Sequence, residues 1–167
     1  MAPAQERLLE LFNYDPETGS FTRKIQVSNQ PPGTIVGHPH GHRYLGVSVD
    51  GKRYYCHRLA WLYMTGSFPP HEIDHINGNG EDNRWENLRV ADRQQNLMNR
   101  KHKLPRSGVK GVHRFWNDSA WYAQVGYKGK TYNLGTFRCL DEAAEAVKQG
   151  REKLHGEFCN NDTLPHQ

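Results

Sequence analysis

Apolar residues in this chain fall in short bursts broken by glycine, proline and asparagine, so only short elements are expected. Leu8, Leu9, Leu11 and Phe12 within residues 4–12 predict a short amphipathic helix, ended by the turn formers Asp15-Pro16-Glu17-Thr18-Gly19. Phe21 opens a strand. After the break at Pro31-Pro32-Gly33, the spacing of Tyr44, Val47 and Val49 before Asp50-Gly51, with Arg53-Tyr54-Tyr55-Cys56 returning, predicts a hairpin. A helix over Arg58–Thr65 should stop at Gly66. Ile73-Asp74-His75 reads as the end of a strand, followed by a loop rich in Asn, Gly and Asp. Asn87-Leu88-Arg89-Val90 comes next, then a helix that Asp92 and Gln95 would cap. Farther on, Gly111–Phe115, Trp121–Tyr127 and Lys130–Phe137 alternate as three strands, with Lys128-Gly129 at one turn. A helix over Asp141–Leu154 carries Ala143, Ala144, Val147 and Leu154 on the stripe that would pack on a thin sheet.

With 167 residues, low aliphatic content and abundant Gly, Asn, His and aromatic residues, the pattern fits two small α+β domains better than one large core. We place a first domain at 1–100, a linker at 101–108, a second domain at 109–161 and a tail at 162–167. Cys56, Cys139 and Cys159 are odd in number, widely spaced and without a CxxC pair, so neither a disulfide framework nor a cysteine zinc site is implied. No secretory leader or membrane-spanning run is read, which makes the cytoplasm, a bacterial host's if the protein is phage-encoded, the expected compartment.

Charge sharpens this picture. The chain carries 22 Lys and Arg against 18 Asp and Glu, a net charge of +4. Between Arg100 and Arg138 stand nine lysines and arginines against Asp118 alone, a field suited to a polyanion.

Cutting a phosphodiester requires a base to activate water and a cation to neutralise charge on the phosphate and the departing oxygen. Hard cations such as Mg²⁺ prefer oxygen donors, and an imidazole titrates near working pH. Asp74 and His75 are strand neighbours whose side chains diverge, one toward a metal and one toward the attacking water. Asn96, about one turn into the following helix, would complete the metal site, and Arg100, on the same helical face, would hold a phosphate.

Together, Ile73-Asp74-His75-Ile76-Asn77-Gly78-Asn79, Asn83-Arg84, Glu86-Asn87-Leu88-Arg89 and Asn96 resemble the HNH endonuclease motif, over 72–100. The flanking Leu11–Gly19 and His57-Arg58-Leu59-Ala60-Trp61 are similar to segments that precede this motif in HNH proteins often carried by bacteriophages. The resemblance implies a ββα-metal fold preceded by a hairpin-containing N-terminal region. It implies His75 as general base, Asn87 as the brace of the loop between the strands, and Asp74 with Asn96 holding one divalent cation, Mg²⁺ or Mn²⁺. His57 admits two readings, an approach to the scissile phosphate or a satisfied structural histidine. His38, His40 and His42 read as a solvated loop, since no further ligand set accompanies them.

Residues 107–161 resemble the plant APETALA-type (ethylene-response-factor) DNA-binding domain. The likeness runs through Lys110-Gly111-Val112, Trp121-Tyr122-Ala123, Leu134-Gly135-Thr136-Phe137, Glu142-Ala143-Ala144 and Leu154–Phe158. It implies a three-stranded antiparallel sheet packed on one helix. Such a ribbon suits the major groove of double-stranded DNA, where each base pair shows a distinct pattern. Lys110, His113 and Gln124 stand at contact positions of that family, while Thr131 and Asn133 replace its Arg and Trp, so the target sequence must differ. With these we expect Arg89, Arg100, Lys101, Lys103, Arg114, Trp116, Lys128 and Lys130 to contact DNA.

The expected function is a sequence-guided, metal-dependent DNA endonuclease leaving 5′-phosphate and 3′-hydroxyl ends, of a homing or phage nicking kind and monomeric, with no protein partner evident. The alternative is a non-catalytic DNA-binding regulator acting through the C-terminal module.

Overall fold

The computed structural model describes residues 3–41, 43–99, 105–115 and 119–161. The fold is mixed α+β, with small antiparallel sheets and four α-helices among the described residues. The chain divides into two compact units, residues 1–93 and 94–167.

In the first unit, α1 (Gln5–Leu11) buries Leu8 and Leu11. The sequence pattern places Phe12 on that helix, yet it turns extended and opens β1 (Phe12–Tyr14), while Leu9 stays exposed. Burial decides this: Phe12 is wholly enclosed and sets its ring edge-on to Phe21 in β2 (Phe21–Arg23), a gain that one more helical turn could not supply. The connection is an Asx turn. Asp15 Oδ1 accepts the Glu17 N–H at 2.9 Å, and Oδ2 accepts the Thr18 hydroxyl at 2.9 Å. Gly19 closes it at φ 73°, its Cα lying so near the Asn83–Arg84 backbone that a Cβ would come within 2.4 Å. β3 (Ile35–Val36) extends this sheet beyond β2.

A second sheet has the order β4 (His38–His40), β5 (Tyr44–Val49), β6 (Lys52–Tyr55). Strand β4 corrects the loop expected for His38 and His40: His38 pairs with Gly46 and His40 with Tyr44, and the His40 ring lies 4.8 Å from that of Tyr55. His42 lies outside the described residues. The hairpin at Asp50-Gly51 is present as expected. The helix that follows, α2 (Cys56–Thr65), starts two residues earlier than the pattern predicts and ends at Gly66. Cys56 and His57 are thereby helical and buried. Leu59, Ala60 and Leu62 complete the helix face that meets Leu8, Phe12, Val47 and Val49 in one core. Strands β7 (Glu72–His75) and β8 (Leu88–Ala91) pair antiparallel, with Asp74 opposite Arg89 and His75 opposite Leu88. Helix α3 (Arg93–Asn99) follows.

In the second unit, β9 (Val112–Arg114), β10 (Trp121–Tyr127) and β11 (Lys130–Phe137) form a sheet in the order β11-β10-β9, antiparallel throughout. One face carries Val112, Ala123 and Val125 against Ala143 and Val147 of α4 (Leu140–His155). This is the sheet and helix that the alternation predicts. Arg151 on α4 is also buried, which no apolar pattern indicates.

Gly111 has φ 86°, and a Cβ there would meet the Gln124 carbonyl oxygen at 2.6 Å. Gly111→Ala should therefore cost the second unit ~2 kcal/mol of backbone strain. Amide hydrogen exchange on the full chain checks this: β10 should lose protection while β5 and β7 keep theirs.

Candidate active site in the first unit

Strand β7 ends with two ionisable residues almost out of water: Asp74 is 4% exposed and His75 5%. Successive side chains leave a strand on opposite faces, so the two enter different surroundings. Asp74 meets its cross-strand partner Arg89, whose Nε donates to Oδ2 at 2.9 Å and whose Nη2 lies 2.8 Å from the same oxygen. Arg89, expected to contact DNA, is thus engaged as the counter-charge of the carboxylate.

The His75 ring lies in an aromatic box. Tyr44 stacks on it at 5.9 Å, and His57 meets it edge-on at 5.1 Å. His75 Nε2 lies 3.3 Å from Asn83 Oδ1. The amide is oriented by its own Nδ2, which donates to the Glu81 carbonyl at 3.1 Å, so the atom facing the imidazole is an oxygen that only accepts. Nε2 therefore carries the proton, and the lone pair of the neutral ring is on Nδ1. Burial pulls the His75 pKa below the usual histidine value, which keeps the ring neutral near pH 7.

The loop between β7 and β8 is fixed by amides. Asn87 Oδ1 accepts the Asn77 N–H at 3.0 Å, while its Nδ2 donates to Asn77 Oδ1 at 3.1 Å and to the Asp82 carbonyl at 2.7 Å. Asn87 thus spans the loop. Asp82 is gripped by Arg84, Nε to Oδ1 at 2.9 Å and Nη2 to Oδ2 at 2.7 Å, which holds its carboxyl down at about 2. Asn83, only 1% exposed, accepts the Tyr14 hydroxyl on its carbonyl at 2.7 Å. Sequence reasoning gave Asn83 no role of its own. The available signal was a small amide amid charged loop residues inside the motif.

His57 turns out to be buried rather than open to a ligand. Its ring stacks on Tyr55 at 5.3 Å and meets Tyr44 at 5.2 Å, and its Nδ1 is buried without a hydrogen-bond partner. Burial first, then the charges of His75 and Arg58, depress its pKa to about 3.

Other expected site residues lie in the second unit. Asn96 is on α3 and partly buried. His113 stacks on Tyr122 at 5.0 Å and its Nε2 lies 3.1 Å from Gln124 Nε2. Arg114 lies over the Trp121 ring at 5.0 Å and Lys128 over the Tyr127 ring at 5.2 Å. Lys110 is half-buried and Lys130 exposed. Arg100, Lys101, Lys103 and Trp116 lie outside the described residues. Among the described residues, no three His, Cys, Asp or Glu side chains gather as a metal cluster. The donor pair expected here contains only one residue of those types, Asp74.

A histidine whose folded pKa is depressed binds fewer protons folded than unfolded between about 3 and 6.5, so stability falls as pH drops through that window. Unfolding by urea between pH 7.5 and 5 should show a first unit that weakens on acidification, by up to ~1.4 kcal/mol per pH unit from each such group. His57→Gln should flatten the profile; an unchanged slope would remove His57 from this account.

The HNH endonuclease family model matches residues 54–98 of the chain. Protein 3.8 of Escherichia phage T7 is 34% identical over 104 residues, covering 61% of this chain and 85% of that protein. A protein named as an uncharacterized HNH endonuclease, L560 of Acanthamoeba polyphaga mimivirus, is 30% identical over 122 residues, covering 69% of this chain. The chain spans 63% of the length of that mimivirus relative. No solved structure matches the chain. The matched segment runs from β6 through α2, β7 and β8 into α3 and so contains Asp74, His75, Asn83 and Asn87: the chain carries an HNH endonuclease domain and belongs to the family of phage T7 protein 3.8.

Proposed function

We propose that this protein is a divalent-metal-dependent endonuclease of double-stranded DNA in which His75 is the general base. The observation that carries the reading is the imidazole itself, buried at a strand end with Nε2 against Asn83 Oδ1. His75 Nδ1 takes a proton from water as the water oxygen attacks phosphorus in line. The bond from phosphorus to the 3′ oxygen breaks, leaving a 5′-phosphate and, after protonation from solvent, a 3′-hydroxyl. Asn83 keeps the second ring proton in place throughout, and Asn87 keeps the loop from shifting under the ring.

The Asp74 carboxylate suits a hard cation, because it offers oxygen donors and, being buried, favours positive charge beside it. When bound there, Mg²⁺ or Mn²⁺ would neutralise charge on the phosphate and the leaving oxygen. Arg89 already shares the Asp74 carboxylate and so limits how much further positive charge the site draws.

In this reading the second unit selects the site. Support comes from its three-stranded sheet with one packed helix, the arrangement that an APETALA-type domain would have. His113, Tyr122 and Gln124 form one contiguous polar and aromatic group on that sheet. A host cytoplasm, a monomer and a homing or phage nicking role complete the proposal. The relative from Escherichia phage T7 favours a phage setting.

Plasmid cleavage with Mg²⁺ or Mn²⁺ against EDTA tests it. Cutting should require the ion, and His75→Ala should slow it by ~10²-fold or more while duplex binding in EDTA persists. Binding without cutting would favour a non-catalytic regulator, and full activity of the alanine variant would remove the assigned base. Gln124→Ala should broaden the set of sites cut in random-sequence duplexes; an unaltered set would take site choice away from this sheet.

A further inference from the structure

The second unit contains a cleft of about 600 Å³ to which the mechanism assigns no task. Lys110, Lys128, Lys130, Arg151 and His155 line it, and none of its lining residues is acidic. Three parts of the fold bring these basic residues together. The turn between β10 and β11 supplies Lys128 and Lys130, and the last turns of α4 supply Arg151 and His155, spaced to share one helix face. Lys110 arrives just ahead of β9, in the tight approach that Gly111 permits.

Arg151 is the most telling member. It is 7% exposed, yet its guanidinium pairs with no carboxylate among the described residues. Its Nη2 donates to the Lys110 carbonyl, which leaves the full positive charge uncompensated. Charges withdrawn from water are ordinarily paired, because the desolvation penalty is otherwise unmet. Lys110 stands close to it: burial, and then the charge of Arg151, hold its amine below the usual lysine range. An anion in the cleft would compensate the Arg151 guanidinium.

We propose that this cleft binds a phosphate group. A phosphate offers several acceptor oxygens to a guanidinium and converging ammonium groups, and a planar guanidinium suits it in two-point contact. The site adjoins the group formed by His113, Tyr122 and Gln124, since Gln124 also lines the cleft. Its cations sit at the hairpin turn and on the helix and supply sequence-independent affinity. The site itself is independent of the proposed nuclease function. Only the identification of its occupant as a backbone phosphate of the DNA substrate rests on that reading, a free nucleotide being the other source of the same chemistry.

The test uses the full chain in EDTA, so that cleavage has no part in it and loss of nuclease activity leaves it untouched. Inorganic phosphate, a nucleoside monophosphate and a 20-base-pair duplex are titrated separately at constant ionic strength while the backbone amides of Gly126, Gly129 and Thr131 are followed by NMR. Saturable shifts with phosphate are expected, with affinity lowered ~10-fold in Lys130→Gln through loss of a charge-assisted contact. Arg151→Gln should act alike, and Arg151→Lys should restore part of the loss. Lys130 is exposed, so its variant remains informative if Arg151 variants fold poorly. If the duplex moves the same amides and the Lys130 variant flattens the salt dependence by ~0.9 in log–log slope, the occupant is a DNA phosphate. Shifts with the small phosphates but none with duplex assign the cleft to a free phosphate ester. No saturable shift with any of the three, or equal affinity in wild type and Lys130→Gln, overturns the site.

Discussion

Asp74 is a carboxylate with almost no contact with water, and its strand could not hold it there without a cation within hydrogen-bond reach. Arg89 supplies that cation from the directly opposite position on β8, and the requirement runs in both directions. Side chains alternate along a strand, so slipping the β7–β8 pairing by one residue would strand the carboxylate and turn His75 out of its aromatic box. The ion pair therefore does more for register than for net stability, since buried pairs often return little beyond their desolvation cost. Once the register is set, His75 has a single environment, and the loop leaving the strand must begin where Asn87 can reach back to Asn77.

That constraint explains why residues far ahead of the motif belong to the site. Tyr14 reaches Asn83 because β1 and β2 pair so as to put Tyr14 opposite Phe21, and the Asp15 turn brings Gly19 onto the Asn83–Arg84 backbone. Asn83 then has its carbonyl held by a phenol and its amide held by Glu81, so its Oδ1 stays aimed at the imidazole. Burial raises the Tyr14 pKa, which keeps the phenol a donor. A short N-terminal helix and hairpin thus determine the tautomer of a histidine some sixty residues later in the chain.

Reading the sequence found what depends on neighbours in the chain and missed what depends on neighbours in space. The hairpins at Asp50-Gly51 and Lys128-Gly129, the strands around Asp74 and Arg89, and the apolar stripe of α4 are local signals, and all are present. Phe12 left its helix for a core that only tertiary contact creates. His38 and His40 became strand because β5 offered an edge to pair with. His57 looked like a possible ligand because a histidine next to an arginine says nothing about the tyrosines that will close over it. The roles of Asn83 and Arg151 escaped notice for the same reason, since a buried polar side chain has no periodic signature and shows its role only through its partners.

The two units divide the electrostatic labour in opposite ways. In the first, the buried carboxylate is matched by Arg89 and both site histidines are held neutral, so charge is conserved for chemistry. In the second, a buried guanidinium stands in a cleft with no acidic lining among the described residues, so its positive charge is left for a ligand to satisfy. A single chain joins them, and that alone raises the effective concentration of each for a polymer the other has bound, whatever their mutual arrangement. On that arithmetic the first unit has no need of a strong grip of its own. A site built from neutral rings and a neutralised carboxylate, which would hold a polyanion poorly in isolation, becomes sufficient once another part of the same chain supplies a basic cleft.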